Sequence, residues 1–140
     1  MPITDALHLL NYWAAQADVV VAHNMSFDKR MLLVEYIRAN MPGFGKEIRP
    51  KYCCTMKSGA NLCKIETKGK DGDIYFKYPR LSELYRFLFG EEAFGLHDAA
   101  ADVLICLRCF CRMNDIEDPA ICCQAFQIQF SARCGKKMML

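Results

Sequence analysis

The sequence predicts a mixed α/β domain in which short strands alternate with helices. Two short apolar runs, at 18–22 and 52–55, are each followed by a helical pattern. The chain has 140 residues, of which 53% are apolar and 24% charged. That length is sufficient for one domain with a substantial core. Strands that alternate with helices indicate a parallel sheet covered by helices.

The first predicted helix begins near Thr4, whose hydroxyl can cap it, and ends near Gln16. Its apolar residues recur at helical spacing: Leu7, Leu10 and Ala14. The run at 18–22 then predicts a strand, and a short unbroken apolar run of this kind is typical of a buried parallel strand.

A second helix is predicted after a turn formed by His23 and Asn24. Ser26 is its expected cap, and residues 40–43 end it. Three apolar residues are spaced to share one of its faces: Phe27, Met31 and Val34. A strand over 52–55 and a helix over 57–63 are expected next.

The segment 64–78 predicts a hairpin with its turn at 70–73. A helix that ends at Gly90 follows, with apolar residues at helical spacing: Leu81, Leu84, Tyr85 and Leu88. Asp98 is the expected cap of a long helix over 99–113.

We expect one domain over 1–118 and a tail of uncertain structure over 119–140. Within the tail, residues 126–130 alternate apolar and polar side chains, which is the period of a half-buried strand. A loosely attached extension is the alternative interpretation of the tail.

No apolar stretch approaches the length of a membrane span, and the first twenty residues carry no Lys or Arg. We therefore expect a cytoplasmic protein with no membrane partner. Nine cysteines favour free thiols that pack as small apolar side chains over a disulfide scaffold. Zinc bound by Cys106 and Cys109 is a weaker alternative, because no second pair follows at a suitable spacing.

Charge is unevenly distributed along the chain. Residues 44–80 carry nine basic and four acidic side chains, whereas residues 81–118 carry three and eight. A basic segment beside an acidic one suits a polyanion held against metal-binding carboxylates. Ordinary surface charge that happens to cluster is the alternative.

One polar cluster lies where the first strand gives way to a helix. His23 and Asn24 follow the strand, and Asp28 falls in the first helical turn. In α/β sheets, ligand sites lie beyond the carboxyl ends of the strands. A structural role is the alternative, in which Asp28 complements the helix dipole and Asn24 satisfies a turn.

A second cluster consists of His97, Asp98 and Asp102, with three alanines at 99–101. If the helix begins at Asp98, Asp102 lies one turn inside it. A carboxylate at that position faces solvent or a cation, because burying an unpaired charge is costly. A polar loop residue is the simpler interpretation of His97 alone.

Together these clusters resemble two motifs of the DEDDh 3′–5′ exonucleases, a family with an RNase H-like fold that includes the proofreading epsilon subunit of bacterial replicative DNA polymerase. Residues 22–28 are similar to its second motif and residues 97–102 to its third. The resemblance runs from Thr4 to Met113 and includes the segments 54–56 and 81–84.

The resemblance implies a role for each residue. Asp102 would directly bind one of two divalent ions, Mg²⁺ or Mn²⁺, and Asp28 would support the second, often through water. His97 would be the general base that takes a proton from the attacking water. The residues that would bind the terminal nucleotide precede Asp28: His23, Asn24 and Phe27. The implied partner is a single-stranded 3′ end of nucleic acid, with DNA favoured over RNA.

One departure from the family is clear. Its first motif, an Asp-x-Glu on the opening strand, is not present before His23, where Asp5 and Asp18 are the acidic residues. We therefore expect an RNase H-like exonuclease domain that lacks its first three strands and has an incomplete two-metal site. The strand at 18–22 would then have an open edge, which favours a homo-oligomer. The alternatives are an inactive remnant that binds nucleic acid or a partner chain through 44–80, and one half of a split exonuclease.

Overall fold

The computed structural model describes residues 1–43 and 51–134. These ranges contain seven helices and four short strands, which confirms the mixed α/β class. The helices are α1 (Ile3–Gln16), α2 (Met25–Arg38), α3 (Thr55–Cys63), α4 (Leu81–Phe89), α5 (Ala99–Met113), α6 (Pro119–Cys122) and α7 (Gln124–Cys134). The strands are β1 (Val19–Ala22), β2 (Lys51–Cys54), β3 (Glu66–Lys68) and β4 (Ile74–Phe76). The chain divides into two compact units, Met1–Cys54 and Thr55–Leu140.

In the first unit, β1 and β2 form a two-stranded parallel sheet. Val19 lies opposite Lys51 and Ala22 opposite Cys54, so the predicted parallel pairing is confirmed. All residues of β1 are half-buried, whereas the sequence predicts a buried strand. The reason is that, within the described ranges, each strand of this sheet has one strand neighbour and not two.

Helix α1 buries Leu7 and Ala14, as its spacing predicts. The predicted Thr4 cap is wrong, because the helix begins at Ile3 and Pro2 occupies the cap position. The proline ring holds φ at −59°, which leads directly into a helix without a side-chain cap.

Helix α2 begins earlier than predicted and buries a different face. Asn24 occupies its cap position, so Ser26 lies inside the first turn and the Ser26 prediction is wrong. The expected apolar face is largely exposed: Phe27 50%, Met31 47% and Val34 39%. Tyr36 is fully buried instead, and its hydroxyl donates to Asn11 Oδ1 at 2.7 Å. This hydrogen bond holds the Tyr36 face of α2 against α1.

In the second unit, β3 and β4 form the predicted antiparallel hairpin, with Glu66 opposite Phe76 and Lys68 opposite Ile74. Its core lies among α4, α5 and α7 and consists of Leu84, Tyr85, Ala101, Ile105, Cys109 and Cys134. Helix α3 packs close to this core, since a Cβ built on Gly59 would lie 3.1 Å from Leu84 Cδ1. Four cysteines are buried among these helices, as expected for small apolar side chains: Cys106, Cys109, Cys111 and Cys134.

The strand interpretation of 126–130 is wrong, because these residues belong to α7. The loosely attached extension, which the sequence favours over the strand, is wrong as well, because α7 buries two of its side chains. Phe126 and Phe130 are four residues apart, so a helix places them on one face, and their rings stack with centroids 5.5 Å apart. Phe126 and Cys134 are buried. An alternation of only five residues is compatible with the period of a strand and with that of a helix. Packing of the phenylalanine face against α5 favours the helix.

Among the described residues, no helix combines the length and the apolar character that crossing a membrane requires.

Candidate active site

The second polar cluster forms at the start of α5. Asp98 caps the helix as predicted: its Oδ1 accepts a hydrogen bond from Ala101 N at 2.9 Å. Asp102 lies one turn further, and its Oδ1 is 3.4 Å from the backbone nitrogen of His97, which donates to it. The structure therefore brings His97 and Asp102 together, and the contact between them is this hydrogen bond from the His97 backbone.

The loop before α5 holds His97 in an uncommon backbone conformation. His97 has φ 78° and Gly95 has φ 76°, both in the left-handed region. A histidine adopts this conformation at some energetic cost, so the surrounding contacts must hold it. The imidazole itself is exposed and accessible to a ligand.

The Asp102 carboxylate is half-buried beside Ala101, which has no exposed surface. In the described ranges, Asp102 forms no ion pair with a lysine or arginine. It is therefore an anionic acceptor whose remaining lone pairs are available to a cation or a water molecule.

The first polar cluster forms where β1 ends. His23 and Asn24 make the predicted turn, and Asn24 has φ 71°, a conformation that asparagine tolerates better than most residues. The Asn24 carbonyl accepts hydrogen bonds from Phe27 N at 2.8 Å and Asp28 N at 3.4 Å. Asn24 thus has the structural role of starting α2, while the Phe27 ring remains half exposed.

Asp28 lies in the first turn of α2, as predicted. Burial raises the pKa of its carboxyl above the ordinary value, and a backbone hydrogen bond and nearby His23 oppose this only in part. The neighbouring cation does not neutralise Asp28, because Lys29 Nζ lies 3.2 Å from the centroid of the Tyr52 ring. A bound cation would lower the pKa of Asp28.

The carboxylate oxygens of Asp28 and Asp102 are the hard ligands that Mg²⁺ and Mn²⁺ prefer. However, no group of three or more His, Cys, Asp or Glu side chains that could hold a metal occurs among the described residues. Asp28 belongs to the first unit and Asp102 to the second.

Sequence reasoning missed two residues that shape the second cluster, Gly95 and Arg133. Arg133 Nη1 lies 3.2 Å from Asp98 Oδ1, across 35 residues of sequence. The sequence did contain one sign of this contact. Gly95 lies two residues before His97, and a glycine at such a position permits another backbone to approach closely.

Comparison with known proteins identifies no relatives: no family model matches the chain, and no curated protein or solved structure is significantly similar to it.

Proposed function

We propose that the chain is an RNase H-like exonuclease domain of the DEDDh class that acts on single-stranded 3′ ends of nucleic acid, with DNA favoured over RNA. The observation that supports this best is the placement of Asp102. It is a half-buried carboxylate, one turn inside α5, with no ion-pair partner among the described residues and with His97 directly beside it. Such a pair suits a cation ligand next to a general base.

In this proposal, His97 takes a proton from the water that attacks the terminal phosphodiester. Its imidazole is exposed and accessible to a bound substrate, and histidine is the side chain most often used as a general base. Phe27 offers an exposed ring on which a terminal base can stack, and His23 and Asn24 lie in the adjacent turn.

Mg²⁺ or Mn²⁺ is the proposed cofactor, and Asp28 and Asp102 are its proposed ligands. Because two carboxylates do not complete a two-ion site, further ligands are required. A second polypeptide, as in a split enzyme, is one proposed source of these ligands, and another copy of this chain is a second.

The test is digestion of a 3′-labelled single-stranded oligonucleotide with Mg²⁺ or Mn²⁺. We expect EDTA to abolish shortening, and His97→Gln to slow it by about 100-fold or more, which is the usual contribution of a general base. We expect Asp102→Asn to abolish it. Asp115→Asn is the matched control, since Asp115 follows α5 and has φ 53°, which asparagine also accepts. Equal rates for His97→Gln and the wild-type protein would contradict the proposal.

A second candidate function is binding of nucleic acid without hydrolysis, through the hairpin β3–β4. All residues of β4 are exposed, with Ile74 at 64% and Phe76 at 46%, and Tyr78 beyond it is exposed by 57%. Of the hairpin lysines, Lys77 pairs with Glu83, whereas Lys64, Lys68 and Lys70 form no ion pair within the described ranges. Exposed aromatic rings beside lysines suit stacked bases and phosphates.

Binding is measured by fluorescence anisotropy with a labelled oligonucleotide in EDTA, where hydrolysis is absent. If the hairpin is the binding surface, Phe76→Ala weakens binding by roughly fivefold or more. Phe87→Ala, on the exposed side of α4, is the control and leaves binding unchanged. Equal affinities of the two variants would exclude the hairpin as the binding surface.

A further inference from the structure

Helix α7, the last helix in the described part of the chain, contacts the loop that carries His97. The loop lies between α4 and α5, and its contact with α7 comes from Arg133, whereas the next residue, Cys134, contacts the first turn of α5. The segment 119–140 is outside the part of the chain that resembles the exonuclease family, so these contacts are not part of that resemblance.

The backbone of α7 touches the backbone of the loop at Gly95. A Cβ built on Gly95 would overlap the carbonyl oxygen of Arg133 and would lie 3.4 Å from Ala101 Cβ. Gly95 also has φ 76°, which residues with a side chain rarely adopt. Only glycine therefore permits the last turn of α7 to lie at this distance from the loop.

The side chain of Arg133 holds the other end of the loop. Its Nη1 lies 3.2 Å from Asp98 Oδ1, the same oxygen that accepts from Ala101 N at 2.9 Å. These two hydrogen bonds orient the Asp98 carboxylate and lower its pKa, the backbone bond from Ala101 having the larger effect. His97 lies between Gly95 and Asp98, so α7 holds the loop on both sides of it.

Cys134 anchors this end of α7 in the core of the second unit. It is 5% exposed and belongs to the same core cluster as Ala101 and Ile105. Its Sγ lies 3.9 Å from the carbonyl oxygen of Ala101, in the first turn of α5. The position of Arg133 is therefore determined by packing rather than by the exposed ion pair alone.

We propose that Arg133 is a positioning residue, through which α7 holds His97 in its left-handed conformation with its backbone N–H on Asp102. The benefit to catalysis rests on the proposed function, in which His97 is the general base. The holding of the loop itself does not depend on that function.

The test compares Arg133→Gln with Arg112→Gln, a control in the exposed last turn of α5. The chain has three histidines, so the imidazole signals of His97 can be assigned by NMR with the variant His97→Gln. We expect Arg133→Gln to shift these signals and to speed hydrogen exchange of the His97 and Ala101 amides by up to about fivefold, the effect of losing an exposed ion pair. Arg112→Gln should leave both unchanged, and Arg133→Lys should restore them in part.

In the oligonucleotide assay, Arg133→Gln should lower kcat and leave KM unchanged, because Arg133 acts on His97 and not on the nucleotide. Unchanged His97 signals and exchange rates in Arg133→Gln would overturn the positioning role even if the chain degrades oligonucleotides. Altered His97 signals in a chain that hydrolyses no oligonucleotide would support the positioning role and contradict the proposed function.

Discussion

The two carboxylates at helix starts differ in their surroundings. Asp102 accepts a hydrogen bond from the His97 backbone, whereas burial raises the pKa of Asp28. Neither forms an ion pair in the parts of the chain that the structure describes. A desolvated carboxylate without a cation destabilises the folded state when it is ionised. Binding of a cation favours the ionised carboxylate and removes this destabilisation.

We expect Asp28→Asn to stabilise the protein at neutral pH without metal. The folded-state pKa of Asp28 lies above its unfolded value, so the folded state holds the proton more tightly. Stability therefore falls as pH rises from the ordinary pKa through the raised one, and the loss persists at higher pH. The Tm of Asp28→Asn should exceed that of the wild type at pH 7, and the difference should vanish in acid. A lower Tm at pH 7 would contradict this.

Arg108 and Asp118 form a partly buried ion pair in the second unit. Arg108 Nε lies 3.0 Å from Asp118 Oδ1 and 2.9 Å from Oδ2. The guanidinium carbon is 4.3 Å from the centroid of the Phe89 ring and 5.1 Å from that of Phe130. This arginine therefore links α5, α4 and α7 to the start of α6.

We expect Asp118→Asn to destabilise the protein by about 1–2 kcal/mol at pH 7, since it weakens a charged hydrogen bond and the cap of α6. Burial has the largest single effect and would raise the pKa of Asp118. The hydrogen bonds from Arg108 and the Ala120 backbone, together with the nearby arginine charges, outweigh it, so the pKa is lowered. The stabilisation is thus present above the ordinary pKa and is lost as pH falls through the lowered value. Urea unfolding at several pH values measures this, with exposed Glu117→Gln as the control. Equal stability losses in the two variants would show that the ion pair has no specific contribution.

At the scale of elements, α7 and the loop before α5 depend on each other. Two glycines allow the cost of a left-handed backbone to be measured separately from the cost of a lost contact with α7. Gly95 has φ 76° and touches Arg133. Gly90 has φ 70°, and a Cβ built on it would have nothing within 4 Å. Both end or precede a helix, so substitution at either position imposes a similar backbone strain.

We expect Gly90→Ala to cost about 1 kcal/mol of unfolding free energy, which is the penalty for a left-handed alanine. Gly95→Ala should cost more, about 2–4 kcal/mol, because the methyl group must also displace the α7 backbone. Chemical denaturation of both variants measures the difference. Equal losses of unfolding free energy in the two variants would mean that α7 does not pack against the loop at Gly95.

At the scale of the whole molecule, the β1–β2 sheet leaves one edge of each strand without a strand partner among the described residues. A strand edge that no neighbouring strand covers can pair with a strand of another chain. The exposed Phe27 and Met31 side chains of α2 add apolar surface to the same unit.

We therefore expect concentration-dependent self-association. Size-exclusion chromatography with light scattering over a hundredfold range of concentration measures it. Because the expected contact consists of apolar side chains and backbone hydrogen bonds, added salt should not dissociate the oligomer. A monodisperse monomer that unfolds in one cooperative transition would contradict this expectation.

Local signals predicted much of the fold. The Asp98 cap, the hairpin, the parallel strand pair and the end of α4 at Gly90 all agree with the structure. Each depends on residues close in sequence or on a strong apolar run, so short-range chemistry is sufficient to specify it. The motif at 97–102 likewise predicted that His97 and Asp102 lie together.

The sequence by itself determined where most helices and strands form, because capping, turn chemistry and apolar periodicity act over a few residues. Tertiary structure decided which face of α2 is buried, since the hydrogen bond from Tyr36 joins residues 25 positions apart. It also decided that 126–130 is helical and that Arg133 reaches Asp98. These outcomes depend on which surfaces meet in space, and local patterns are compatible with more than one such arrangement.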